Sequence, residues 1–172
     1  NLDGIFENII EVGRATGATD RAEALVRALR GRVRRVAERA AGVERPKVWC
    51  AEWLDPPYGS GHWIPEMVRL AGGQEVVGAE GVDSRRVTWD EVVRAAPEVV
   101  VLMPCGWTTE QVASRFDREG ASGRWRELPV PLHARRRDRD QHRGLGLPHQ
   151  RGRRGYRRDD HDRACQPDGG AD

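Results

Sequence analysis

The chain of 172 residues has almost no lysine: Lys47 stands alone against 28 arginines. GC-rich coding explains such a bias, since Arg, Ala, Gly and Pro codons are all GC-rich, so an individual arginine is weak support for a phosphate contact. No apolar run approaches the length of about 18 residues that a membrane-spanning helix needs. Cysteine is scarce and scattered at Cys50, Cys105 and Cys165, which excludes a secreted disulfide framework. The motifs of familiar catalysts are missing too. There is no Gly-x-Ser-x-Gly, no Gly-rich phosphate loop ending in Lys-Ser/Thr, no His-Glu-x-x-His and no paired CxxC. These absences point away from an enzyme, an intrinsic cofactor and a resident metal. Cys50 falls in a strand and reads as a small buried hydrophobe. Cys105 precedes a helix N-terminus that favours a thiolate; a pair with His62 is conceivable, but nothing in the pattern requires it.

Net charge is also small, at +2, but it combines two unlike stretches. Residues 1–123 hold 16 basic and 19 acidic groups, whereas residues 124–172 hold 13 basic and 8 acidic ones. The first stretch has the periodicity of a fold. Ile5, Phe6, Ile9, Ile10 and Val12 predict an amphipathic helix over 4–17. A longer helix follows over 20–41, with Asp20 as its cap, Glu23 completing a capping-box-like pair, and a stripe running from Ala22 through Val26 and Val33 to Ala40. From residue 46 the period changes. Strands are expected at 47–52, 75–78 and 98–103, the last a continuous apolar run of the kind buried on both faces. Helices are expected at 65–71 (Pro65 at its start), at 88–96 behind the capping box Thr88-Trp89-Asp90-Glu91, and from Thr108 to about Glu119, with Gly120 as its stop. Alternation at this spacing predicts an α/β fold with a parallel sheet and flanking helices.

Ligands of open parallel sheets bind beyond the carboxyl ends of the strands. Two loops fall there, residues 53–63 and 104–108. Together they offer Trp53, Tyr58, Trp63 and Trp107, with Asp55, Ser60 and His62 as polar company. Flat aromatic faces suit a large planar or partly apolar ligand. Plugging the sheet edge is the alternative role for Trp53 and Trp63.

The run Glu52-Trp53-Leu54-Asp55-Pro56-Pro57-Tyr58, then Gly61-His62-Trp63-Ile64-Pro65-Glu66 and Leu70-Ala71-Gly72-Gly73, resembles the second lobe of cobalamin-binding proteins. These are substrate-binding components of ABC importers in the iron-siderophore and cobalamin class. Val87 to Val93, Ala96 to Val101 and Pro104-Cys105-Gly106 are similar to that lobe as well, and the resemblance covers residues 4–120, with 52–73 its specific part. It implies a class III periplasmic-binding-protein fold, in which two α/β lobes joined by a long rigid helix hold cobalamin, another corrinoid or a metal chelate between them. It further implies a monomer outside the cytoplasm that docks on an ABC transporter permease through an acidic residue, here Glu66. That residue also suits a plain first-turn carboxylate favouring the helix dipole. The expected organisation is then 1–45 as the end of the first lobe and the connecting helix, 46–130 as an incomplete second lobe, and 131–172 as a tail. The rest of the first lobe and an export signal are expected to be missing from this sequence.

The tail departs from the family. Beyond Val130 the family would supply another strand and a closing helix. The sequence instead becomes Arg135-Arg136-Arg137-Asp138-Arg139-Asp140 and continues in that style. With Leu145, Leu147 and Tyr156 as nearly its whole apolar content, it is expected to be disordered. Loss of apolar periodicity in a GC-rich gene also fits translation out of frame. Arg151 to Arg158 resembles an RGG-type segment, so nucleic-acid association through the tail is the alternative function. Interleaved aspartates weaken that field, and no nucleic acid is expected as a partner. His142, His149, His161 and Cys165 match no compact metal-ligand spacing.

Overall fold

The computed structural model describes residues 1–119 and 123–130, so the tail expectations and the Gly120 stop lie outside the described residues. Two helices come first, α1 (Leu2–Ala15) and α2 (Thr19–Arg39), packed as a hairpin. Asn1 caps α1 through its side chain, which accepts from Gly4 N. Asp20 does not cap α2. The connection is so short that Ala18 N donates to Gly13 O while Ala18 O already accepts from Ala22 N, which makes Ala18 the cap residue. Asp20 therefore falls inside the first turn, where its charge still favours the helix dipole. Gly13 permits the close crossing, because an added Cβ would overlap Ala22 Cβ.

The lobe follows as β1 (Lys47–Ala51), β2 (Tyr58–Gly59), α3 (Ile64–Leu70), β3 (Gln74–Glu75), β4 (Arg85–Arg86), α4 (Trp89–Ala95), β5 (Val99–Leu102) and α5 (Thr109–Glu119), then a 3-10 turn at Gly123–Glu127. β1 is central and runs parallel to β3 on one side and β5 on the other. The sheet is nevertheless mixed rather than wholly parallel. β2 pairs antiparallel with the end of β1 and with β4, as a two-residue ladder that the sequence pattern is too short to reveal. β3 is shorter than its apolar run: Val76 N still donates to Val48 O of β1, and Val77 and Gly78 then turn away to donate to Glu75 Oε1.

Alternation along the strands sorts the core. Trp49 and Ala51 of β1 share a face with Val100 and Leu102 of β5. On that face lie Leu54, Val87, Val92, Phe116, Trp125 and Leu128. Trp125 stacks on Trp49 with centroids 5.4 Å apart and takes Trp89 and Phe116 edge-on at 4.9 and 5.3 Å. Such geometries suit the ring quadrupole and add about 0.5–1.5 kcal/mol per pair beyond burial. The Trp49 indole N–H, buried with its ring, donates to Tyr58 O at 3.1 Å. The opposite face carries Val48 and Cys50, with α3 packed on β1 and β3. That cover does not protect β5. Val99 and Val101 are each 42% exposed, so the expected two-sided burial of this strand is corrected to one-sided.

Candidate functional site

Strand order places the site. From β1 the chain crosses through α3 to β3, then returns through α4 to β5 on the other side of β1. The direction of winding thus reverses at β1, and the crevice beyond the carboxyl ends of β1 and β5 is the topological switch point. The segment leaving β1 carries Trp53. The segment leaving β5 carries Trp107 after a turn at Pro104–Cys105–Gly106, where Gly106 adopts φ +75°. The two indoles meet edge to face, with centroids 5.5 Å apart and planes at 67°. Both are half-buried, and Trp107 also packs against the aromatic core. Trp107 also lies against Arg115, whose Cζ is 5.8 Å from the ring centroid, within cation–π range.

The other expected residues spread along the same loop. Tyr58 N donates to Trp53 O, closing the turn that holds Asp55 exposed at its tip. Tyr58 itself is half-buried in β2, opposite Arg86. His62 takes a left-handed backbone at φ +55°, pinned by its N–H to Val82 O and by its carbonyl, which accepts from Gly81 N. Its ring lies 5.6 Å from that of Trp63, and its Nδ1 is 3.8 Å from Asp83 Oδ1. Trp63 caps α3 and is 38% exposed. Among the described residues no ring contact joins this second pair to Trp53 and Trp107. Four of the six expected ligand residues thus fall into two aromatic pairs rather than one box, and Asp55 and Tyr58 join neither pair. Glu66 sits in the first turn of α3, and its Oε2 accepts from Leu2 N at 2.7 Å, tying the lobe to the start of α1.

Ser60 is not an open polar group of the loop. It is buried, and its hydroxyl donates to Glu75 Oε2 at 3.3 Å. Glu75 is the organiser that sequence reasoning missed. Oε2 also accepts from Cys50 N, while Oε1 accepts from Val77 N and Gly78 N. One carboxylate therefore fixes β1, the Ser60 turn and the loop after β3. Burial, reinforced by the Glu75 charge, pushes the Cys50 thiol up to about 12, so it stays protonated and unreactive. A cleft of about 350 Å³ lies along α3 and β3, lined by Arg45, Arg69, Gln74, Glu75 and Glu80 among others, and shares none of the aromatic residues. Arg69 and Glu80 pair across it at 2.7 Å. Among the described residues no group of His, Cys, Asp and Glu is arranged to hold a metal ion.

Several solved structures share this fold. An ABC transporter substrate-binding protein from Listeria monocytogenes matches with TM-score 0.62 and 20% identity over 74% of this chain and 51% of that one. The periplasmic vitamin B12 binding protein of Vibrio cholerae matches with TM-score 0.54 and 18% identity over 74% of this chain and 48% of its own. A heme-complexed protein of S. aureus matches with TM-score 0.61 and 18% identity, again over 74% of this chain and 51% of that one. At these identities the likeness is one of fold, and the chain spans about half the length of each structure. No curated protein matches it. The sequence family described as periplasmic binding protein matches residues 1–122, most of the chain. The α/β lobe with its leading helical hairpin thus belongs to the periplasmic binding protein family.

Proposed function

We propose that the chain is part of the substrate-binding component of an ABC importer and supplies one lobe's share of a site for cobalamin, another corrinoid or a similar metal chelate. The observation that carries this reading is the Trp53–Trp107 pair at the switch point. Two half-open indoles from different loops offer a stacking platform where the fold places ligands. Asp55, Tyr58, His62 and Trp63 extend it along the same loop as further ligand contacts. Support also comes from the fold relatives, one of them a vitamin B12 binder and one complexed with heme. The family is one of transport binding proteins rather than an enzyme class. The working location is outside the cytoplasm and the working partner a permease. On that partner's side we assign Glu66 as the docking carboxylate. Its Oε2 is held by Leu2 N, which leaves Oε1 for an arginine.

A titration of cyanocobalamin followed by tryptophan fluorescence tests the site. Weak, saturable binding is expected, because the chain carries only one side of the platform. Trp53→Ala or Trp107→Ala should weaken it by roughly two- to tenfold, the equivalent of one aromatic contact, with circular dichroism unchanged. Equal affinity in both variants would overturn the reading.

A further inference from the structure

We infer that the outer edge of β5 is a docking strip for β5 of a second copy of this chain, so that two lobes join in one continuous sheet. The inference is independent of the ligand reading. β5 pairs with β1 on one side, and among the described residues no strand lies on its other side. Met103 N donates to Ala51 O, so in the parallel ladder the backbone groups of Val101 and Val99 also turn toward β1. The N–H and C=O of Val100 then turn outward, to the open edge. Val99 and Val101 stand on the face away from the core, each 42% exposed. An edge that is β-branched and uncharged over Val99–Leu102 is a template for strand pairing. The other two edges are guarded. β3 and β4 are each two residues long and carry Gln74–Glu75 and Arg85–Arg86, and short charged edges resist pairing.

The rest of the chain offers no better occupant. The described part ends at Leu128 to Val130, which pack on the core face, opposite Val99 and Val101. Residues 131–172 contain no valine, isoleucine, threonine, phenylalanine or tryptophan, the types that fit a pleated surface. β5 supplies them to itself. A two-fold axis at Val100 runs two copies antiparallel and lets the two Val100 residues exchange both backbone hydrogen bonds. Val99 of each copy then lies opposite Val101 of the partner subunit, in the close pairing where side chains touch. The four valines merge into one apolar strip, and Glu98 falls opposite Leu102 of the partner subunit rather than a like charge. Antiparallel pairing also puts the two Trp53–Trp107 platforms at opposite ends of the joined sheet. With β5 paired and the remaining edges guarded, assembly stops at two copies.

Sedimentation equilibrium of the full chain tests this. The mass should rise from 19.3 kDa toward twice that value between micromolar and millimolar protein. Val99→Lys combined with Val101→Lys should hold it at 19.3 kDa throughout, because each lysine would face another across the axis. Circular dichroism should not change, since both side chains already face solvent. Val99→Glu combined with Val101→Glu should behave alike. An equimolar mixture of the two double variants should recover the pair, because every lysine then meets a glutamate. A native chain that stays monomeric at millimolar concentration would overturn the inference. So would a pair that persists in both double variants, which would move the contact elsewhere, the exposed Leu25–Val36 stripe being next in line. A mixture that fails to associate would refute the opposition of Val99 and Val101, and species larger than two copies would refute the two-fold axis.

Discussion

The helical hairpin and the α/β lobe bury their apolar groups in opposite ways. In the hairpin the buried positions are Phe6, Gly13, Ala22 and Val26, small residues apart from one ring. Val12, Leu25 and Val36 remain largely exposed, although they belong to the same stripes. Phe6 is held partly by Arg30, whose guanidinium lies 4.9 Å above its ring and which also pairs with Asp3 at 2.9 Å. The lobe surrounds Trp49 and Val92 completely and stacks three indoles and a phenyl ring in one cluster. Two helices alone cannot enclose stripes that run along their whole length, whereas a sheet with a helical layer has an inside. The lobe is accordingly the stable unit, and the hairpin depends on contacts such as Glu66 to Leu2 N and the close approach of Gly72 to Ala40.

The sharpest way to break this contrast is Trp49→Ala. It removes the ring at the centre of the cluster and strands the Tyr58 carbonyl that accepts its N–H. A loss of about 3–5 kcal/mol is expected from large-to-small core substitutions, read by urea unfolding followed by circular dichroism. A loss below about 1 kcal/mol would mean that the aromatic cluster is not what holds the lobe.

Gly13→Ala probes the hairpin in the same way. Alanine favours a helix over glycine by about 1 kcal/mol, but the new methyl overlaps Ala22 Cβ. Overpacking of this kind typically costs about 1–3 kcal/mol, so the balance falls on the destabilising side. Amide hydrogen exchange should rise in α1 and α2 while β1 and β5 keep their protection. A hairpin that became more protected would show that the helices can separate freely.

Local chemistry made some of this architecture legible. Thr88 to Glu91 is a capping box in the structure as in the sequence, because all its partners lie within one turn. Pro65 at the start of α3 and the apolar run of β1 are equally self-contained. The meeting of Trp53 and Trp107 followed from topology, since both loops leave parallel strands at the same edge. What failed depended on distant partners. Asp20 lost its capping role to a three-residue connection whose tightness is set by Gly13 against Ala22. Glu75 collects donors from residues 50, 60, 77 and 78, a set with no sequence spacing to betray it. The exposure of Val99 and Val101 depends on which neighbours cover β5, a matter its own composition does not encode.

Acid should weaken the lobe through its α4 cap before it touches the aromatic core. The Glu91 carboxyl is lowered to about 2, first by the Thr88 backbone N–H, then by the Arg85 side chain and the Thr88 hydroxyl. Its folded value lies below the ordinary 4.5, so its contribution is fully present above that pH and is lost as the pH falls toward 2. Glu91→Gln should flatten that part of the pH profile. Thr88→Ala should cost about 1 kcal/mol at neutral pH. An unchanged acid limb in Glu91→Gln would place the titration elsewhere.

The smallest effect belongs to the outer stripe of the hairpin. Leu25 is 47% exposed although its helix neighbours Ala22 and Val26 are buried. A half-solvated leucine contributes only part of its transfer free energy, and serine there leaves no polar group without water. Leu25→Ser should therefore shift stability by no more than about 0.5 kcal/mol, the range of ordinary surface substitutions, in the same urea experiment that reads Trp49→Ala. The pair of results defines the comparison: a core position and a stripe position, both apolar by sequence, separated by several kcal/mol. A loss of more than about 1 kcal/mol at Leu25 would mean that something covers the stripe in solution, and the hairpin would then have an inside of its own.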